Sequence, residues 1–505
     1  MKAVLGVLLI LVTVAPNLTM ISVSESDNYV RRRDEILKLE AAEFLGGNVN
    51  LSVKEKRVDE VIQAARKREM IKAHENSSEF LPSQHFFKVK NKISTSEVFS
   101  IIRKLPKGGS LHTHFLAGVS LDYIIKNITY RKDIYGGYVN GVFKLKFFAE
   151  GDPNANATWT KLEKYRQSDP NFDLWLKTQL SLVVENPQET YPTADAIWTK
   201  FKKTFTTQYD MVCYKPIFED YIYQLLKELH DDNVMYTELR GTFMPLYELN
   251  GTIYNKEEFF EIFIGVTEKF KRDHPDFLGV RYIHNLYRGV SVEDLTVDLQ
   301  ELVELQEKFP DFICGFDFVG HEEEGHRLFD FHRALLPFAG RLKFFFHAGE
   351  TNWFGSTDLN LIDAILLNAS RIGHGFSFDK HPKLAEMARE KDICVELCPV
   401  SNQVLKLVDD SRNHPAVNLL ARGFPVVVCN DDPAVWGAEG LSYDWYVAFM
   451  AMTPEGAGLK VLKRLASNSL LYSSMGESGK RDSVRKWEQK WEVFLDEILN
   501  QYNNV

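Results

Sequence analysis

Eight short apolar runs recur along the chain, and each ends at a polar or glycine-rich turn: GGSLHTH (108–114), NVMYTELRG (233–241), GVRYIHN (279–285), ICGFDFVGHE (313–322), KFFFHAGE (343–350), SRIGHG (370–375), ICVELCPVSN (393–402) and FPVVVCNDDP (424–433). Runs of this length, rich in β-branched and aromatic residues, read as strands buried on both faces. Between most of them the apolar period changes. VEDLTVDLQELVELQEKF and HPKLAEMAREK repeat at three and four residues, the spacing of one helix face. This alternation of eight strands with helices predicts an α/β fold, a (β/α)8 TIM-type barrel. In KFFFHAGE, Phe344, Phe345 and Phe346 would form a buried strand, with His347 and Glu350 emerging where it opens into a loop.

Two segments break the alternation. Residues 24–105 carry charged helical stretches, RRRDEILKLEAAEFL and KEKRVDEVIQAARKREMIKAH, and read as an N-terminal helical region ahead of a barrel at 106–505. Their apolar stripes must be buried somewhere, and a second copy of the chain is the expected cover, giving a homodimer. The other segment, about 127–187, lies between the first and second strands. There NITYRKDIYGGYVNGVFKLKFFAEGDPNANATW alternates like strands and turns, the mark of an inserted subdomain.

With 505 residues, 45% hydrophobic, the chain can bury a large core, and a net charge of −10 without a basic stripe excludes a nucleic-acid partner. Lys2 followed by AVLGVLLILVTVA reads as a secretory signal over residues 1–23, too short to span a bilayer, and no other stretch resembles a membrane span. Secretion agrees with six glycan-acceptor tripeptides beyond that segment, beginning at Asn50, Asn76, Asn127, Asn156, Asn250 and Asn368. The five cysteines, Cys213, Cys314, Cys394, Cys398 and Cys429, show neither a disulfide framework nor a Cys-x-x-Cys metal spacing.

Chemistry in this fold gathers at the C-terminal ends of the strands, where His112, His114, His347, Glu350, His374, Asp431 and Asp432 stand. His-x-His puts both rings on one face of a strand. With His347 and an aspartate they make a ligand set suited to zinc with one position open for water. Glu350 is placed to act as an acid beside that water. His374 is placed to orient or deprotonate it. Of Asp431 and Asp432, one carboxylate can reach the metal and the other a substrate.

The segments His112-Thr-His114, GHEEEGH, HAGETNW, RIGHG and NDDPAVWG, in this order, resemble the adenosine deaminase family, and more narrowly its extracellular growth-factor branch. The likeness extends to HFFKVKNKISTSEVFSIIRKLPKGGSLHTH and LCPVSNQVLKLVDDSRNHP and covers nearly everything after the signal. It implies one zinc per subunit on His112, His114, His347 and Asp431, with Glu350 and His374 catalytic. It further implies a purine nucleoside substrate met by Asp432, the Gly320 backbone, Trp198 and Trp353. Hydrolysis of adenosine and 2′-deoxyadenosine, dimerisation through the N-terminal helices, a growth-factor role and a cell-surface receptor or glycan partner belong to the same implication. The chain departs from the family in three places. Phe115 and Leu116 stand where an aspartate is usual, Tyr287 where the branch often has histidine, and the inserted subdomain lacks its cysteine pair. Another amidohydrolase-type zinc hydrolase, or a nucleoside-binding signal protein without turnover, are the alternatives. GHEEEGH and Asp432 argue against the first, and the intact set of catalytic residues against the second.

Overall fold

The computed structural model describes residues 25–502. The expected signal segment, 1–23, lies outside them. In chain order the strands are β1 (Gly108–His114), β2 (Ile134–Val139), β3 (Val142–Phe147), β4 (Trp159–Lys161), β5 (Val234–Gly241), β6 (Gly279–Tyr287), β7 (Ile313–Val319), β8 (His347–Ala348), β9 (Arg371–His374), β10 (Cys394–Leu397) and β11 (Val426–Val428). Two parallel sheets, β1-β5-β6-β7 and β8-β9-β10-β11, supply the eight barrel strands. A Phe316–Phe344 bridge joins them on one side and a Thr113–Asp431 bridge on the other, which closes the barrel. Seven barrel strands lie within the apolar runs, and β6 begins with its run and extends two residues past it, to Tyr287.

Helices fill the crossovers. The one at Val292–Lys308 begins where the Ser291 hydroxyl accepts from the Asp294 N–H, satisfying an end-of-helix donor, and it buries Leu295, Leu299, Leu302 and Val303 against the sheet. Each such side chain contributes about 1.5–3 kcal/mol of hydrophobic stabilisation. The phenylalanine run departs slightly from expectation. Regular pairing is confined to His347 and Ala348, while Phe344–Phe346 are extended, buried and bonded at Lys343, Phe345 and Phe344 to Phe316 and Ser370.

The inserted piece is an antiparallel sheet of order β3-β2-β4. Its hairpin turns at Asn140 (φ 51°) and Gly141 (φ 76°), the left-handed pair that matches strand twist in a two-residue turn. All five cysteines are buried free thiols. The six glycan-acceptor asparagines are all exposed.

The N-terminal helices behave differently from each other. Val53–Glu75, opened by a Ser52/Glu55 capping box, buries Val58, Ile62 and Ala65. Its Arg66 guanidinium bonds the carbonyls of Thr453 (2.6 Å) and Pro454 (2.8 Å). Its stripe is therefore covered by its own chain, contrary to the expectation that both helices await a partner. The helix at 25–43 leaves its apolar groups uncovered, with Tyr29, Val30, Ile36, Leu37 and Leu39 exposed, whereas Val53–Glu75 exposes only Val53 and Ile71 among its large apolar residues. Among the described residues no helix is long and apolar enough to cross a membrane.

Candidate active site

At the C-terminal mouth of the barrel, one ligand atom from each of His112, His114, His347 and Asp431 lies within 4.8 Å of the others. β1 delivers the first two, β8 the third, and the loop after β11 the aspartate. His112 Nε2 and His114 Nε2 stand 3.3 and 3.2 Å from Asp431 Oδ1. Asp431 takes up φ 58°, a left-handed backbone uncommon outside glycine, which turns its carboxylate back over β1.

Carboxylates behind the histidines fix the rings. His112 Nδ1 is 2.7 Å from Glu396 Oε2, and His347 Nδ1 is 2.7 Å from Asp317 Oδ2. Held this way, each ring keeps its Nε2 lone pair for the cavity, the arrangement found behind metal-bound histidines. His112 Nε2 is buried without a hydrogen-bond partner. Burial and Arg240 would depress the pKa of His112, but the neighbouring carboxylates of Asp431 and Glu396 outweigh them and raise it to about 9. A cation between these groups would take the place of that proton. Three imidazoles and a carboxylate, with an orphaned nitrogen aimed inward, fit a zinc ion.

The carboxylates are held in turn by buried cations. Arg240 bonds Asp317 (2.9 Å) and Glu396 (2.6 Å), and Arg371 bonds Glu396 and Glu238 at 2.6 Å each. Burial alone would raise Asp317 and Glu396. For Asp317 the neighbouring His347 and Arg240, and for Glu396 the two arginines and His112, win and hold both well below the usual carboxylate range.

Glu350 follows β8 and is 5% exposed. Glu322 places it, accepting from the Gly349 N–H (3.0 Å) and the Glu350 N–H (2.6 Å). Burial, then Asp431 and Glu322, push the Glu350 carboxyl well above its ordinary range. Asp432 is raised in the same sense by burial, Asp431 and Glu350, and its Oδ1 has no partner. His374 ends β9 at φ 59°, with Nε2 3.6 Å from Glu350 Oε1.

These groups face a cavity of about 290 Å³ that is also lined by Gly320, Trp198, Phe201, Phe205, Met244 and Tyr287. Trp198 stacks on His321 at 4.7 Å. Gly320, at φ 106°, touches the Tyr287 ring so closely that a Cβ would meet it at 2.5 Å. Trp353 stands apart from this cavity. It is largely exposed, donates to Glu323 (2.9 Å), and lines a smaller adjoining hollow with Trp198 and Glu350. Leu116 faces the main cavity, whereas the Phe115 ring is also wedged among Phe218, Phe263 and Tyr282.

The residues that sequence reasoning passed over are Glu238, Arg240, Asp317, Glu322, Arg371, Glu396, Asn402 and His414. For five of them a signal was present: Glu238, Arg240, Asp317, Arg371 and Glu396 are charges inside otherwise apolar strand runs, where an ion persists only if paired.

A closed parallel barrel with a three-histidine, one-aspartate cluster at its mouth, and beside it a buried carboxyl raised above its ordinary range, has the make-up of a metal-dependent hydrolase. Within that class the chain belongs to the adenosine deaminase family: the family model described as adenosine deaminase matches residues 179–487, and that for the adenosine/AMP deaminase N-terminal region matches 7–102. It is 42% identical to adenosine deaminase 2 of Sus scrofa over 92% of this chain and 94% of that protein. Against adenosine deaminase of Phlebotomus duboscqi the identity is 40%, covering 94% and 92% of the two chains. The human adenosine deaminase 2 is 39% identical over 93% of this chain and 94% of its own. Among solved structures, an amidohydrolase from Burkholderia ambifaria with bound zinc shares the fold at a TM-score of 0.57 and 16% identity, covering 80% of this chain and 95% of that one. The protein is an aminohydrolase of a metal-dependent family.

Proposed function

We propose that the protein is a secreted, zinc-dependent adenosine deaminase that converts adenosine and 2′-deoxyadenosine to inosine and 2′-deoxyinosine with release of ammonia. The observation that carries this reading is the convergence of His112, His114, His347 and Asp431 beside a buried Glu350 carboxyl whose pKa is pushed well above its ordinary range. The four would hold one zinc per subunit. Zinc there supplies the acidity that makes a water nucleophilic near neutral pH. Glu350 gives its proton to the purine ring nitrogen beside the amine-bearing carbon, so that electrons from the ring move onto that nitrogen as water adds; the carboxylate so formed takes the water's proton and passes it to the amine, which leaves as ammonia. Asp432, kept neutral by burial, presents a proton to the imidazole-side nitrogen, and the Gly320 N–H meets the opposite ring nitrogen. Trp198 covers the bound base, while Trp353 belongs to the adjoining hollow at the rim.

Secretion is supported by the apolar N-terminal run and by six exposed glycan acceptors. Release outside the cell would lower extracellular adenosine, the route by which turnover produces a growth-factor effect. The exposed apolar groups of the helix at 25–43 favour a homodimer, which would bury them. Incubating the purified protein with adenosine, with and without a chelator, tests the activity. Loss of adenosine absorbance with matching ammonia, abolished by the chelator and restored by zinc, is expected. Absence of ammonia from the zinc-loaded protein would overturn it.

A further inference from the structure

A chain of hydrogen bonds reaches His374 from behind the cavity. The Ala416 backbone N–H donates to His414 Nδ1 at 3.0 Å. An amide N–H can only donate, so Nδ1 bears the lone pair and the neutral His414 ring carries its proton on Nε2. Burial holds that ring neutral, with its pKa lowered to about 3. His414 Nε2 stands 3.0 Å from Asn402 Oδ1, the acceptor which that proton requires. With its oxygen committed, Asn402 turns its NH2 to His374 Nδ1, again at 3.0 Å. His374 Nδ1 therefore accepts. The proton of the neutral His374 ring then lies on Nε2, the atom that faces Glu350 and Asp431 and has no hydrogen-bond partner within the protein. All three side chains are buried, Asn402 completely, so water does not replace either contact.

We propose that Asn402 and His414 are positioning residues that set the tautomer of His374, so that it offers an N–H rather than a lone pair to the reacting atoms. The assignment rests on the deaminase reading of this cavity and narrows it. A ring arranged this way does not take the proton of the attacking water. It donates a hydrogen bond to the oxygen and stabilises the charge that builds there as the ring carbon becomes tetrahedral.

The tautomer is readable in the resting, full-length protein by long-range proton–nitrogen correlation on ¹⁵N-histidine protein, with the His374 signals identified by their loss in His374→Gln. The expected pattern is an unprotonated Nδ1 and a protonated Nε2. Asn402→Asp keeps an acceptor for His414 but presents a second acceptor to His374, so Nδ1 should become protonated. Removing a preorganised donor of this kind should lower kcat about a hundredfold or more, with KM within about threefold and metal content unchanged. An Nδ1-protonated His374 in the unaltered protein overturns the proposal, as does wild-type kcat in a folded Asn402→Asp. Should that variant not fold, the spectrum of the unaltered protein decides. A protein with the expected tautomer that releases no ammonia from adenosine refutes the deaminase reading and leaves the tautomer assignment standing.

Discussion

Asp317→Asn is the change that most directly probes the layer behind the proposed metal ligands. Three donors converge on this carboxylate: the His347 backbone N–H at 2.9 Å on Oδ1, with His347 Nδ1 at 2.7 Å and Arg240 Nε at 2.9 Å on Oδ2. Asparagine has one oxygen. Whichever way the amide turns, at least one buried donor faces an NH2 group, at a cost of about 1–3 kcal/mol. Loss of the charge also weakens the hold on Arg240. Breaking a buried ion pair costs ~3–5 kcal/mol, but Arg240 keeps Glu396 at 2.6 Å, so the lower end, about 3 kcal/mol in all, is expected. His347 also loses the partner that fixes its tautomer, which should weaken metal binding by roughly 10–100-fold. Urea unfolding at fixed metal gives the first quantity, and competition with a chelator of known affinity the second. A chelator curve and a urea midpoint both indistinguishable from the parent would refute the assignment of Asp317 as the support of His347.

Glu350→Gln should keep metal and fold but lower ammonia release by ~10²–10⁴-fold, since an amide preserves shape without delivering a proton. Acid should destabilise the barrel through Glu238: burial would raise its carboxyl, yet Arg371 and Ser474 outweigh burial and hold it below its ordinary value. Its contribution is therefore complete above the unfolded-state pKa of about 4.3 and lost as pH falls below that, so the urea midpoint of Glu238→Gln should respond less than the parent's to acidification from pH 6 to 3. A chain lacking the helix at 25–43 should be monomeric by light scattering, and a dimer that survives the deletion would contradict the proposed interface. Among the described residues no carboxylate apart from Glu350, Asp431 and Asp432 lines the cavity, and Asp122 is engaged by Lys126 and Lys177, so 5′-deoxyadenosine should compete with adenosine. A preference for adenosine beyond roughly a thousandfold in kcat/KM would show that another polar group binds the sugar.

The strand order and the cluster at the mouth were legible because both are written in local patterns: apolar runs that end in a titratable residue, repeated around a barrel whose geometry gathers strand ends. The buried ion layer was harder to read. A charge inside an apolar run shows that a partner exists, but not that Arg371 serves Glu238 and Glu396 together, since pairing depends on which strands are neighbours. Asn402 and His414 gave less still, because CPVSN and RNHP look like ordinary helix and loop sequence until folding sets them behind His374. The destination of an apolar stripe is equally invisible. Val58 and Ile62 face their own chain and Ile36 and Leu39 do not, although both helices carry the same kind of pattern.

The barrel closes where His114 N–H bonds the Asp431 carbonyl and Asp431 N–H bonds the His112 carbonyl, both at 3.0 Å. Three of the four residues proposed to hold the metal, His112, His114 and Asp431, thus also clasp the fold. A chain emerging from the ribosome holds its two leading histidines in waiting until nearly all of the barrel has been made, and no truncated product lacking β11 can assemble the set. Such long-range closure is slow to form. With a metal on the proposed set, retention would report on completion: a molecule holding the ion with full affinity would be one whose last strand has found its first.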